Sequence, residues 1–104
     1  MTIKISFTNY APSKVIINYT EAEENNGIYF KTTDYGPVEI IIFDEDAEYP
    51  ATIRVFHENS WYKSEMTIGM ENGGLNIIYS EDKTIVDAEK HTLKFGEEIT
   101  FSWL

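Results

Sequence analysis

Val38-Glu39-Ile40-Ile41-Ile42-Phe43, then Asp44-Glu45-Asp46-Ala47-Glu48-Tyr49-Pro50, then Ala51-Thr52-Ile53-Arg54-Val55-Phe56 make up the most informative stretch of this sequence. β-Branched and aromatic residues dominate both flanks and suit a pleated, half-buried surface. The centre is polar and ends in proline, which fixes φ and withholds a backbone donor. The stretch therefore predicts two strands paired across an acidic loop. In the first of them Ile41 and Phe43 are offset from Ile40 and Ile42, which predicts a central strand covered on both faces.

Outward from this stretch the same period of two recurs. Ile3, Ile5 and Phe7 alternate with Thr2, Lys4, Ser6 and Thr8, giving a first strand before a turn at Tyr10-Ala11-Pro12-Ser13. Residues 15–20 read as a second strand. Thr20 and Glu23 have capping-box spacing, but Asn25, Asn26 and Gly27 follow in place of an apolar run, so at most one helical turn is expected. Asn26-Gly27 is a hairpin signal, residues 28–32 form the next strand, and Asp34-Tyr35-Gly36-Pro37 ends it. Beyond Trp61, residues 62–68 alternate again and turn at Asn72-Gly73-Gly74 into a partner strand at 75–79. Residues 80–91 read as a short strand or one helical turn. Residues 92–95 and 99–104 are expected to close the chain as a hairpin around Gly96-Glu97-Glu98. Eight to ten short strands, with turn signals between them and no long helix, predict an all-β fold: a single antiparallel β-sandwich, with a small barrel as the alternative. No repeat or linker divides the chain, so residues 1–104 read as one domain.

Composition narrows the function. With 42% hydrophobic residues, and seven Tyr, six Phe and two Trp, the chain has enough apolar material for a core. The absence of cysteine excludes disulfides, zinc-thiolate sites and thiol nucleophiles. The first residues lack a continuous apolar run and no segment reaches membrane-spanning length, so a soluble, cytoplasmic protein is the expectation. Asn18-Tyr19-Thr20 matches a glycosylation sequon, read as chance in that setting. Residues 21–48 hold nine acids against one base, Lys31, so −8 of the formal −10 charge falls there. One arginine and seven lysines are too few to neutralise a phosphate backbone, which argues against direct nucleic-acid binding. A basic protein surface is the better electrostatic match.

Several residues stand out as site candidates. Asp44 and Asp46 offer hard carboxylate oxygens of the kind calcium takes. They do not make an EF-hand, because Tyr49 stands where the loop glycine belongs and Val55 where the bidentate glutamate belongs. A solvated hairpin loop explains the same residues without a metal. His57 and His91 are the only imidazoles, next to Glu58 and near Glu89, and no nucleophile elbow, phosphate loop or paired-histidine motif accompanies them. Surface histidines and a non-enzymatic chain are the simpler reading. Tyr35, Tyr49, Trp61 and Tyr62 fall in or beside expected loops, where aromatics anchor partners, stack on sugars or enter a membrane interface, unless they merely cap the sandwich ends.

The opening Ile3-Lys4-Ile5-Ser6-Phe7-Thr8-Asn9, the segment Gly27-Ile28-Tyr29-Phe30, and the strand, acidic turn, strand and aromatic loop of 39–61 resemble aegerolysins, small acidic β-sandwich proteins that bind membrane lipids. The likeness spans half of the chain and uses no diagnostic motif. The chain departs from the family in length, in its single middle-loop tryptophan, Trp61, and in lacking cysteine. The resemblance implies a membrane lipid as ligand.

These readings converge on a non-enzymatic binding module. Tyr35, Tyr49, Trp61 and Tyr62 would be its anchors, and Glu45 and Glu48, with Asp44 and Asp46, its charged side. The alternatives are an aegerolysin-like lipid binder and an acidic inhibitor or immunity protein capping a basic surface. An edge strand at 99–104 could also pair with a second copy of the chain.

Overall fold

In the computed structural model, residues 2–33, 37–57, 64–81 and 89–103 are described. They contain eleven strands and no helix: β1 (Thr2–Thr8), β2 (Lys14–Ile17), β3 (Thr20–Glu21), β4 (Glu23–Asn25), β5 (Ile28–Thr32), β6 (Val38–Phe43), β7 (Ala51–His57), β8 (Ser64–Glu71), β9 (Gly74–Glu81), β10 (Glu89–Leu93) and β11 (Glu98–Trp103). One sheet runs β10-β9-β8-β1-β5-β4 and the other β11-β7-β6-β2-β3. Neither closes on itself, so the fold is a β-sandwich and the barrel alternative falls away.

The period of two decides which side chains meet between the sheets. Ile3 and Ile5 of β1, Val15 and Ile17 of β2, Val38, Ile40 and Ile42 of β6, Ile53 and Val55 of β7, Met66 and Ile68 of β8, and Leu75 and Ile77 of β9 are all buried in one cluster. Each fully buried Ile or Val contributes roughly 1.5–3 kcal/mol of transfer free energy. On β6 the intervening Glu39, Ile41 and Phe43 are only half-buried. Thus β6 is central in its sheet, between β2 and β7, but covered on one face and not both.

Two-residue turns set much of the register. Asn26-Gly27 joins β4 to β5 and Asn72-Gly73 joins β8 to β9, with φ of 51° and 81° in the first and 52° and 78° in the second. Positive φ at both central residues is the type I′ arrangement, whose twist matches that of the flanking strands, and glycine adopts it without a Cβ clash. The acidic loop 44–50 joins β6 to β7, which pair antiparallel with Ile42 opposite Ala51, as the sequence predicts.

Four expectations need correction. The sheets are mixed, not antiparallel throughout: β1 pairs parallel with β8, and β7 parallel with β11. The strand count is eleven, not eight to ten, because 20–25 forms the short strands β3 and β4 in place of a helical turn. The last two strands do not form a hairpin. β10 pairs with β9 in one sheet, residues 94–97 cross the sandwich, and β11 joins β7 in the other sheet. β11 enters at the end of the sandwich where β7 begins, so the two can only run parallel.

A cavity experiment separates the two faces of β6. Ile40→Ala should lower stability by about 2–5 kcal/mol, whereas Ile41→Ala should cost about 1 kcal/mol or less, as read from urea midpoints at unchanged slope.

Candidate functional site

The acidic loop is a built structure and not a slack connection. Asp44 Oδ1 accepts a 2.6 Å hydrogen bond from the Tyr10 hydroxyl, and Asp44 Oδ2 accepts from the Asp46 amide at 3.0 Å. The Ala47 amide donates to the Asp44 carbonyl at 3.2 Å, closing a turn. Tyr10 belongs to an aromatic cluster, its ring 6.1 Å from that of Phe7 and 6.3 Å from that of Phe95, with Tyr29 edge-on to Phe7 at 5.4 Å. Burial, followed by the hydrogen bond to Asp44, pushes the Tyr10 phenol well above the ordinary tyrosine range.

The far side of the loop is tied to the crossing segment 94–97. The Gly96 amide donates to the Pro50 carbonyl at 3.0 Å and the Thr52 amide to the Glu97 carbonyl at 3.1 Å. Gly96 has φ of 92°, and a side chain there would approach the Tyr49 Cβ. Between these fixed ends the loop turns Glu45, Asp46 and Glu48 outward, and Tyr49 is 63% exposed. The result is one phenol ring held in water among carboxylates at one end of the sandwich.

Of the residues singled out from sequence, Asp44, Glu45, Asp46, Glu48 and Tyr49 share this loop. Tyr35, Trp61 and Tyr62 lie outside the described residues. The strand ends that lead to them, Thr32, Val38, His57 and Ser64, are at the opposite end of the sandwich from Asp44. Chain topology thus separates Tyr49 from the strand ends next to those other aromatics.

Both Asp44 oxygens already accept hydrogen bonds, and among the described residues no group of three or more His, Cys, Asp or Glu is placed to hold a metal ion. The hydrogen bonds of Asp44 give it a structural part in the loop. His91 stacks edge-on against Phe101 at 4.9 Å, and the side chain of His57 is not among those described. Arg54, the one arginine, is engaged on the outer face by Glu39 at 3.2 Å and Glu98 at 3.0 Å. Its hydrogen bond holds the Glu98 carboxyl below its ordinary range, an effect lost as pH falls into the carboxylate range. Two shallow depressions on the outer face of the six-stranded sheet, about 220 Å³ beside Ile28 and Phe30 and about 120 Å³ beside Asn9 and Gly69, are smaller than the roughly 300–1,000 Å³ of typical small-ligand sites. Among the described residues no helix is long and apolar enough to cross a membrane.

Tyr19 was not among the sequence candidates, yet it is 88% exposed. Period two places it inward with Val15 and Ile17. The only signal against that is Asn18, which favours positive φ and here turns the chain.

No protein-family model, no curated protein and no solved structure matches this chain.

The tie between Tyr10 and Asp44 yields a stability prediction. Tyr10→Phe removes a hydrogen bond to a carboxylate and should cost about 1–3 kcal/mol in chemical denaturation at neutral pH. The folded state keeps the Tyr10 proton to higher pH than the unfolded state, so this contribution is complete below about pH 10 and fades above it. Wild-type stability should therefore fall more steeply above pH 10 than that of Tyr10→Phe.

Proposed function

We propose that this chain is a non-enzymatic binding module that docks a protein with a basic surface at the 44–50 end. Tyr49 is the anchor and Glu45, Asp46 and Glu48 are the charged rim. The observation that carries this reading is Tyr49 itself: it is 63% exposed on a loop fixed at both ends, while Tyr10, Phe7 and Phe95 beside it pack against the core. Tyrosine supplies a large contact with only two side-chain torsions to freeze, and such residues dominate interface energetics. The surrounding carboxylates favour a cationic partner and speed its approach, in keeping with the formal charge of −10. An inhibitor or immunity protein capping a basic groove is the form of this reading that uses both features.

Capture from the native cell lysate on the immobilised chain, at low and high salt and with or without lipid vesicles, tests it. A partner held at low salt should be released as ionic strength rises. Tyr49→Ala should weaken its capture by roughly 30-fold, and the double variant Glu45→Lys, Glu48→Lys should abolish it at low salt. Capture indifferent to all three substitutions would remove the basis of the proposal. Salt-resistant capture of vesicles would favour the lipid ligand that the likeness to aegerolysins implies.

A further inference from the structure

Among the described residues, three two-residue turns have positive φ at both central positions, and one breaks the chemistry of the other two. Asn26-Gly27 and Asn72-Gly73 place glycine second, while Asn18-Tyr19, between Ile17 of β2 and Thr20 of β3, places a tyrosine there with φ of 46° and 77°. A bulky residue in the left-handed region is strained, by the same clash that makes glycine the usual occupant. Burial does not repay the strain, because Tyr19 is 88% exposed.

The turn is nonetheless fixed from below. Lys31, reaching over from β5, donates its ammonium to the Ile17 carbonyl, to the Asn18 carbonyl at 3.1 Å and to the Thr20 hydroxyl. Asn18 extends the pairing with β6: its amide donates to the Glu39 carbonyl and its side-chain oxygen accepts from the Glu39 amide, both at 2.9 Å. The half-buried Asn18 of the sequon is thus engaged in holding the turn. These contacts secure the backbone around Tyr19 and leave its ring in water.

We infer that Tyr19 is a second, preorganised contact residue, at the opposite end of the sandwich from Tyr49, and that it inserts into an apolar slot with a basic rim on a protein partner. A strained position that serves no packing points to function, since strain imposed by the surrounding structure clusters at functional sites. A tyrosine on a fixed backbone has only its own two side-chain torsions left to freeze on docking. Charge selects the partner. Exposed Glu21 and Glu23 follow the tip on β3 and β4, and the nearby cation, Lys31, is turned inward onto the turn. The carboxylates on the strands leaving the turn oppose approach to an anionic lipid surface and favour a cationic rim. This inference does not rest on the 44–50 site, whose residues it does not use.

The test pairs a folding measurement with a binding one. Tyr19→Gly should keep the fold and raise Tm by a few degrees, on the order of 4 °C, because it restores the residue that the turn prefers. Tyr19→Asn, also tolerated at positive φ, serves as a second folded control. Phage-displayed random dodecapeptides are selected on the wild-type chain, and the enriched peptides are measured against Tyr19→Gly, Tyr19→Asn and Tyr49→Ala. The inference expects a class rich in Arg or Lys with apolar residues, whose affinity falls by roughly 30-fold in both Tyr19 variants and is unchanged in Tyr49→Ala. No enrichment, enrichment insensitive to Tyr19, or a fall in Tm of several degrees in Tyr19→Gly would overturn it. So would Tyr19-dependent capture of phosphatidylserine-containing or phosphatidylcholine vesicles, which would assign the ring to lipid. Loss of binding in Tyr49→Ala alone would support the acidic-loop proposal and overturn this one.

Discussion

Sixteen apolar side chains among the described residues fill the space between the two sheets, and the placement of every other group follows from that layer. Strands expose alternate residues to opposite faces, so committing Val38, Ile40 and Ile42 to the interior commits Glu39, Ile41 and Phe43 to the outside. The chain must then pass repeatedly from one sheet to the other to keep each apolar row facing its counterpart. The crossings at 9–13 and 94–97, together with the hairpin loop 44–50, bring Tyr10, Asp44, Tyr49 and Gly96 to one end of the sandwich. The hairpin that carries Tyr19 stands at the other. Function on such a scaffold belongs to the connections, because the inner faces are consumed by packing.

Polar clamps turn those connections into fixed surfaces. Asp44 spends its carboxylate on the Tyr10 hydroxyl and the Asp46 amide, and so shapes the loop that presents Tyr49. Lys31 spends its ammonium on the carbonyls of the Asn18-Tyr19 turn. In both cases a charged side chain that looks available in sequence is used to hold an aromatic in water. A residue positioned in this way binds at lower entropic cost than one on a mobile loop. The two tyrosines stand at opposite ends of the sandwich.

Much of the fold was legible because period two is a strong signal where isoleucine alternates with polar residues, as in Ile3 to Phe7 and Ile53 to Val55. The pairing of β6 with β7 and of β8 with β9 could be read from their turns. Strand direction and sheet membership could not: Thr92 and Leu93 have the same pattern whether they pair with Ile99 and Phe101 or, as found, with Asn76 and Leu75. Non-local pairing of this kind is set by how often the chain has crossed the sandwich. The acidic loop was legible as a feature, but the role of Asp44 was not, since its partner Tyr10 lies 34 positions away. Tyr19 was read as part of a second strand at 15–20, whereas β2 ends at Ile17, and the turn that follows depends on Lys31 and Glu39, both distant in sequence.

Both tyrosines are carried on backbone that hydrogen bonds hold in place. Nitrogen-15 relaxation of the free chain tests it most directly. Backbone order parameters near about 0.85 at Asn18, Tyr19, Thr20, Asp46 and Ala47, matching those of β6 and β7, are the predicted result. Values below about 0.6 at either turn, with the strands remaining rigid, would contradict the account.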